Sequence, residues 1–112
     1  MFQFGSKVPT ISVDDVKMSI DNNQSVNIID VRTPEEVVRG KIVGSINVPV
    51  DNITKIKSLI SDKNSTIYLY CLSGSRSNVA TEQLQQMGYT NVFSMANGLL
   101  AWKIKQYPLV TD

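Results

Sequence analysis

The chain has 112 residues, of which 42% are hydrophobic, and this size and composition predict one compact domain with a real core. Eleven Lys and Arg against ten Asp and Glu leave a formal net charge of +1 without any run of like charges, so neither nucleic acid nor a membrane is expected as a partner. The sequence has no basic and apolar leader and no apolar run of the roughly 18 residues that span a membrane, which predicts a soluble, cytoplasmic protein.

The first half of the chain predicts two helices around a buried strand. Residues 1–6 are interpreted as a short N-terminal tail, and residues 7–112 as the single domain. Ser12 is a suitable N-cap for a helix with a regular apolar stripe. The β-branched run VNIIDV at 26–31 predicts an inner strand. TPEEVVRG at 33–40 has a capping threonine, a proline at the first helical position and a terminal glycine, so it predicts a second helix.

The middle of the chain predicts a strand, a helix and another strand. SINVPV at 45–50 is a short apolar segment that ends in proline, which suits a brief strand. STIYLYC at 65–71 predicts a central strand. DNITKIKSLI at 51–60 predicts a helix, and four of its residues share the apolar face: Ile53, Ile56, Leu59 and Ile60.

The last third predicts helix, strand and helix again. NVFSM at 91–95 predicts a strand, and LLAWKIKQYP at 99–108 predicts a final helix closed by proline. SNVATEQLQQMG at 77–88 predicts a helix that buries Val79, Ala80, Leu84 and Met87. Strands alternating with helices indicate an α/β fold with a mainly parallel sheet. In such sheets ligands bind where strands end and helices begin.

Cys71 is the only cysteine, and the sequence contains no histidine. An intrachain disulfide, a thioredoxin-like dithiol, a Cys/His protease site and a zinc site built from cysteine and histidine are therefore excluded. We expect neither a metal nor another cofactor. Any chemistry at Cys71 needs activation by something other than imidazole. The alternative is that Cys71 is a small buried hydrophobic residue, the usual fate of a free cysteine.

The segment after Cys71 predicts an anion-binding loop. Cys71 falls at the carboxyl end of the predicted central strand, and the next helix is expected to begin between Ser75 and Ser77. Small residues between them let the chain curl, and Gly74 can adopt a positive φ. A curled loop turns its N–H groups inward, and together with a helix N-terminus it stabilises a thiolate. The loop therefore predicts a Cys71 pKa below the free value of about 8.5 and a nucleophilic sulfur.

Arg76 follows Cys71 with the spacing Cys-x4-Arg. Its planar guanidinium can bind an incoming anion or hold the loop through hydrogen bonds to carbonyl groups, and lysine cannot supply that geometry. The alternative is a surface salt bridge on the first helical turn. Because Arg76 is placed directly beside the loop, we favour a role in the site.

Three segments of the sequence resemble the single-domain rhodaneses, the thiosulfate:cyanide sulfurtransferases. IIDVRTPEEVVRGKIVGSINVP at 28–49 is similar to the upstream signature of that family. YCLSGSRS at 70–77 resembles its active-site loop, and NGLLAW at 97–102 resembles its carboxyl-terminal Gly-Gly-x-x-x-Trp signature. The resemblance covers nearly the whole chain. It implies a rhodanese-like α/β fold, with a five-stranded, mainly parallel sheet flanked by helices on both faces.

The resemblance also implies roles for individual residues. Cys71 would accept a sulfane sulfur from a donor such as thiosulfate, carry it as a persulfide, and pass it to cyanide, to a thiol or to a sulfur-accepting protein. Asp30 and Arg32 match the Asp-Val-Arg pair and would orient the loop, or they would form only a structural ion pair or loop cap. Trp102 is expected in the core or the pocket wall. The cradle around the sulfur would be formed by Leu72, Ser73, Gly74, Ser75, Arg76 and Ser77.

The sequence departs from the family pattern at two positions and leaves two other functions open. Lys41 stands where histidine is usual, and Asn97 replaces a glycine, although asparagine tolerates the left-handed conformation. Phosphatases and arsenate reductases of the same fold have a longer loop, Cys-x5-Arg, with room for a tetrahedral oxyanion. The shorter loop here favours sulfur. A non-enzymatic sulfur-carrier or partner-binding module is the other alternative, and the oligomeric state and physiological donor stay open.

Overall fold

A computed structural model describes residues 8–112 of the chain. The tail predicted over residues 1–6 and the first residue of the predicted domain lie outside this range. Within the described residues, no helix is long and apolar enough to cross a membrane.

Five short strands form one sheet in which every neighbouring pair is parallel. In chain order the strands are β1 (Thr10–Ile11), β2 (Asn27–Asp30), β3 (Ile46–Asn47), β4 (Ile67–Tyr70) and β5 (Val92–Met95). Their order across the sheet is β1-β5-β4-β2-β3, so β4 is central, and all of its residues are buried. Asp30 at the end of β2 is in register with Tyr70 at the end of β4. The segments that follow these two strands therefore leave the sheet side by side.

The helices cover both faces of this sheet. In chain order the α-helices are α1 (Val13–Asp21), α2 (Pro34–Val37), α3 (Ile56–Leu59), α4 (Ser75–Gln86) and α5 (Gly98–Ile104), and a 3-10 helix (Val50–Lys55) precedes α3. One buried cluster joins the sheet to α3 and α4, and a second joins it to α1 and α5. The predicted rhodanese-like α/β fold, with a parallel five-stranded sheet and helices on both faces, is confirmed.

Two of the predicted helix starts, those of α1 and α2, are confirmed by their hydrogen bonds. The Ser12 hydroxyl accepts from the main-chain N–H of Asp15 at the start of α1. Thr33 and Glu36 form a reciprocal capping box at the start of α2, with Pro34 in the first turn. Such caps satisfy N–H groups that have no partner inside the helix. The α2 cap also fixes where the Glu36 carboxylate lies, which matters for the site.

The prediction of one continuous helix over residues 51–60 is wrong. The segment is a 3-10 helix followed by the single-turn α3, with Asn52 in a non-helical conformation. Because a 3-10 helix has three residues per turn, the apolar residues no longer fall on one 3.6-residue face. Ile53, Ile56 and Ile60 are buried as predicted, whereas Leu59 is 53% exposed.

Other details also differ from the sequence prediction. Val79 was expected on the buried face of α4 but is 51% exposed, because the inner face carries the small residues Ser77, Ala80 and Thr81 together with Leu84. Met87 is only partly buried. Strand β1 was not predicted, since its two residues show no periodicity, and it pairs with β5 at the edge of the sheet.

Candidate active site

Cys71 lies where the sequence places it, between the central strand β4 and the start of α4 at Ser75. Gly74 is the N-cap of α4 and has a φ of +111°, a backbone conformation that L side chains rarely adopt. The main chain therefore turns sharply over residues 71–74. Leu72, Ser73 and Ser75 are exposed at the mouth of this loop, while Gly74 and Cys71 are buried.

The sulfur of Cys71 is held by groups of its own loop. The N–H of Gly74 donates to Sγ at 3.0 Å, and Sγ lies 3.7 Å from the Ser77 hydroxyl oxygen. The residue is fully buried and belongs to the core cluster between the sheet and α4, as the structural alternative requires. The Sγ atom nevertheless meets hydrogen-bond donors. Full burial and hydrogen bonding within the loop thus coincide at Sγ.

The surroundings lower the pKa of the Cys71 thiol. Burial acts in the opposite direction, because it disfavours the charged form, but hydrogen bonds from the main-chain N–H groups of Ser77, Gly74 and Ser73 outweigh it. The Ser77 side chain adds a further lowering contribution. A cysteine that served only as core packing would show the opposite direction.

Ser77 connects the loop to the neighbouring strand. Its hydroxyl donates to the carbonyl oxygen of Gly74 at 3.1 Å and lies 2.7 Å from the hydroxyl oxygen of Ser94 on β5. All three residues are buried. The curvature of the loop is therefore fixed both by the cap of α4 and by a side-chain bridge to β5.

Arg76 projects from the first turn of α4 and forms an ion pair with Glu36 of α2. Nη1 donates to Oε1 at 2.7 Å and Nη2 donates to Oε2 at 3.0 Å, so both ends of the guanidinium fork are engaged. The pKa of Arg76 is raised, chiefly by the hydrogen bond to Glu36 and further by the nearby Cys71 thiolate. Arg76 thus forms the salt bridge that was the alternative from the sequence, and its role in binding an anion stays a prediction. Glu36 was not identified from the sequence as a site residue.

Asp30 and Arg32 pair with each other. Arg32 Nη2 donates to Asp30 Oδ2 at 2.7 Å and to the carbonyl oxygen of Gly40 at 2.7 Å, and both side chains are almost fully buried. The pKa of Arg32 is raised because the hydrogen bond and charge of Asp30 outweigh the effect of burial. This pair ties the end of β2 to the segment after α2, and so fixes the helix that carries Glu36.

The beginning of α5 is hydrogen-bonded to the active-site loop. The N–H groups of Leu99 and Leu100 donate to the carbonyl oxygens of Cys71 and Leu72, each at 3.0 Å. Gly98 permits this approach, because it has no side chain to meet the loop backbone. Asn97 has a φ of 63°, which confirms the left-handed conformation expected there.

Trp102 and Lys41 make their side-chain polar contacts outside the active-site loop. Trp102 is buried in the cluster between the sheet and the α1/α5 face, as predicted, and its Nε1 donates to the Pro108 carbonyl oxygen at 3.0 Å. Lys41, at the position where histidine is usual, pairs through Nζ with the carboxylate of Asp112. Neither residue supplies a group to Cys71.

Two surface depressions flank the loop. A groove of about 460 Å³ lies between the 3-10 helix and α4, and its lining includes Ser75, Arg76 and Val79. A smaller cleft of about 160 Å³ is lined by Leu72, by Glu36 of α2, by the segment after α2 and by Leu99 and Lys103 of α5. Arg76 faces the first and Glu36 the second, so their ion pair separates the two. Within residues 8–112, no group of three His, Cys, Asp or Glu side chains is placed to hold a metal ion.

Residues 12–105 match the Rhodanese-like domain family, and the chain belongs to that family. YrkF of Bacillus subtilis, a candidate sulfur carrier protein, is 32% identical over 97 residues, which are 87% of this chain and 52% of YrkF. A sulfurtransferase of Allochromatium vinosum is 29% identical over 92% of this chain and 95% of its own length. The thiosulfate sulfurtransferase PspE of Escherichia coli is 42% identical over 57% of this chain and 62% of PspE. The chain thus spans about half of YrkF but nearly all of the Allochromatium protein.

Solved structures show the same fold. A rhodanese-related protein from Thermoplasma volcanium superposes with a TM-score of 0.81 and 28% sequence identity, over 93% of this chain and 99% of that one. This chain and that rhodanese-related protein therefore share one fold.

Proposed function

We propose that the protein is a sulfurtransferase that carries a sulfane sulfur as a persulfide on Cys71. The observation that carries this proposal is the environment of Sγ, which accepts the N–H of Gly74 at 3.0 Å in a loop that lowers the thiol pKa. A thiolate is the form of cysteine that attacks sulfur. The similarity to proteins named sulfurtransferase and sulfur carrier supports the same chemistry.

The reaction divides into two displacements at sulfur. The Cys71 thiolate attacks the sulfane sulfur of a donor such as thiosulfate; the new S–S bond forms as the bond to the sulfonate sulfur breaks, and sulfite leaves with the electron pair. Cyanide or a thiolate then attacks the outer sulfur of the persulfide. Thiocyanate or a new persulfide forms, and the Cys71 thiolate is regenerated. No oxidant or reductant is consumed.

The loop residues act on both anionic states of this cycle. The N–H groups between Leu72 and Ser77 stabilise the thiolate and the persulfide anion, since a curled loop at a helix N-terminus favours negative charge. Arg76 contributes a cation at the mouth. Asp30 and Arg32 act indirectly, because their ion pair holds α2 and the segment after it beside the loop. The functional domain is proposed to extend over residues 7–112.

A second candidate is a sulfur carrier that accepts sulfur but does not turn over with small acceptors. The full burial of Cys71 favours this candidate, because a carrier exposes its persulfide only to a docked partner protein. The similarity to YrkF supports it as well. A phosphatase or arsenate reductase is less well supported, since the Cys-x4-Arg loop leaves less room for a tetrahedral oxyanion.

The test is a steady-state assay of thiocyanate formation from thiosulfate and cyanide. We expect turnover by the wild-type protein and none by Cys71→Ser, because the serine hydroxyl is nearly isosteric but far too weak an acid to form an anion in this loop. Cys71→Ser should keep its thermal unfolding transition. Full activity of Cys71→Ser would overturn the proposal. Sulfur loading of the wild-type protein without thiocyanate formation would favour the sulfur-carrier function.

A further inference from the structure

The ion pair between Glu36 and Arg76 bears on which donors the site accepts. Two of the five N–H groups of the Arg76 guanidinium, one on each Nη, donate to the Glu36 carboxylate, at 2.7 and 3.0 Å. A guanidinium commonly binds a carboxylate or an oxyanion through the same paired N–H groups. An anionic donor that uses those groups must therefore displace Glu36.

Glu36 is held in place independently of Arg76. Its Oε1 atom accepts from the main-chain N–H of Thr33 at 3.0 Å and from the Thr33 hydroxyl at 3.2 Å, as part of the capping box. The carboxylate is thus held by Thr33 as well as by Arg76. Two charges that are about two-thirds covered by protein neutralise each other at the mouth of the loop.

We propose that Glu36 is a specificity-determining residue, which by occupying Arg76 lowers the use of doubly charged inorganic donors in favour of organic sulfane donors of lower charge. This inference rests on the proposed sulfur transfer and names the donor class of the same site. The Glu36 carboxylate is hydrogen-bonded to Thr33 and Arg76. It acts through Arg76 as a positioning residue.

The shape of the surface beside the pair fits a donor with an organic group. The groove of about 460 Å³ that includes Arg76 in its lining has an apolar part formed by Val50, Ile53 and Val79. Its other lining residues include Asp51, Thr54 and Gln83. Half-exposed Val79 lies one turn after Ser75 on α4. Thiosulfate is much smaller than this groove, whereas an aryl or alkyl group would cover its apolar wall.

The experiment compares thiosulfate, which carries two negative charges, with benzenethiosulfonate, which carries one and adds an aryl group. Cyanide is the acceptor in both assays. Glu36→Gln removes the charge, but glutamine also serves at this position of a capping box, so α2 keeps its cap. We expect kcat/KM for thiosulfate to rise roughly three- to tenfold, mainly through KM, and that for benzenethiosulfonate to rise less than about threefold.

Two variants separate this effect from general charge and from a structural role. Glu35→Gln removes the same charge from an exposed neighbour in the same helix, and it should leave the ratio of the two kcat/KM values within about twofold of wild type. In an Arg76→Gln background, Glu36→Gln should no longer raise the preference for thiosulfate, because no guanidinium is left to release. If Glu36→Gln fails to fold, Glu36→Asp tests the same point, since its shorter side chain weakens the paired contact.

The outcomes distinguish failure of the proposed role of Glu36 from failure of the proposed sulfur transfer. A rise in the thiosulfate ratio with Glu36→Gln, absent with Glu35→Gln and in the Arg76→Gln background, supports the inference. An unchanged ratio, or an equal loss for both donors, overturns it while the sulfur transfer itself stands. If wild-type protein transfers sulfur from neither donor, the proposed function fails instead.

Discussion

Gly98 lies so close to the active-site loop that a Cβ atom on it would stand 2.5 Å from the carbonyl oxygen of Leu72. The obstructing atoms are main-chain atoms, which cannot rotate away. Gly98 also has a φ of +53°. We therefore expect Gly98→Ala to lower both the free energy of unfolding and the rate of sulfur transfer, because the loop that carries Cys71 must shift.

Gly44 supplies the matched control for this substitution. It has a φ of +78°, but a Cβ there meets no heavy atom within 4 Å. Gly44→Ala should cost only the backbone strain, about 1–2 kcal/mol, with little change in activity. Chemical denaturation and the thiocyanate assay measure both variants. Equal effects of the two substitutions on activity would show that the contact with the loop is unimportant.

The Glu36–Arg76 pair predicts a pH dependence of stability. The hydrogen bond from Arg76 lowers the pKa of Glu36 from 4.5 to about 2. A lowered carboxyl pKa gives stability that is present above the unfolded value near 4.5 and is lost as the pH falls through about 2. The pair is partly exposed, so solvent screening limits the gain to about 1 kcal/mol or less.

Glu36→Gln cannot titrate at this position, so it isolates the effect. The wild-type protein should exceed the variant in free energy of unfolding at pH 6, and the difference should shrink between pH 4.5 and 2. Urea denaturation at several pH values measures it. A difference that stayed constant over that range would show that the carboxylate charge contributes nothing to folding.

Alkylation of Cys71 should follow a single ionisation. No histidine is present, so the thiolate is favoured only by groups that do not titrate near neutrality, and its pKa is lowered by the loop N–H groups. The rate of reaction with iodoacetamide should rise with pH through one apparent pKa below the free value of about 8.5. No second limb is expected between about pH 5 and 8.

Ser77→Ala extends this prediction. Its hydroxyl lowers the Cys71 pKa and joins the loop to Ser94 on β5, so its loss should move the alkylation profile toward higher pH. Ser75→Ala, at the exposed first residue of α4, should leave the profile near that of wild type. A wild-type pKa above that of a free thiol, or reaction only after denaturation, would indicate a purely structural cysteine.

Much of the fold follows from local sequence patterns. The caps at Ser12 and Thr33 and the buried runs of β2 and β4 depend on neighbouring residues, so they were predictable. The 3-10 helix over Val50–Lys55 was not, because its apolar spacing also fits an α-helix. Strand β1 has only two residues and forms through its pairing with β5.

The candidate site also combines features that local sequence predicts with features that it does not. The position of Cys71 and the turn at Gly74 depend on one continuous segment and were predicted from it. The contact between Glu36 and Arg76 joins residues 40 positions apart and depends on β2 lying beside β4. The sequence alone does not fix that neighbour relationship. It could be inferred only after the order of strands was known, since the loops after adjacent parallel strands meet at one edge.

The most direct test of a persulfide on Cys71 is the intact mass of the protein after incubation with thiosulfate and removal of excess donor. Because Cys71 is the only cysteine, any sulfur bound as a persulfide is assigned to it without further mapping. We expect a gain of one sulfur atom that cyanide or a reductant removes, and no gain in Cys71→Ser. An unchanged mass in the wild-type protein, or an equal gain in Cys71→Ser, would contradict it.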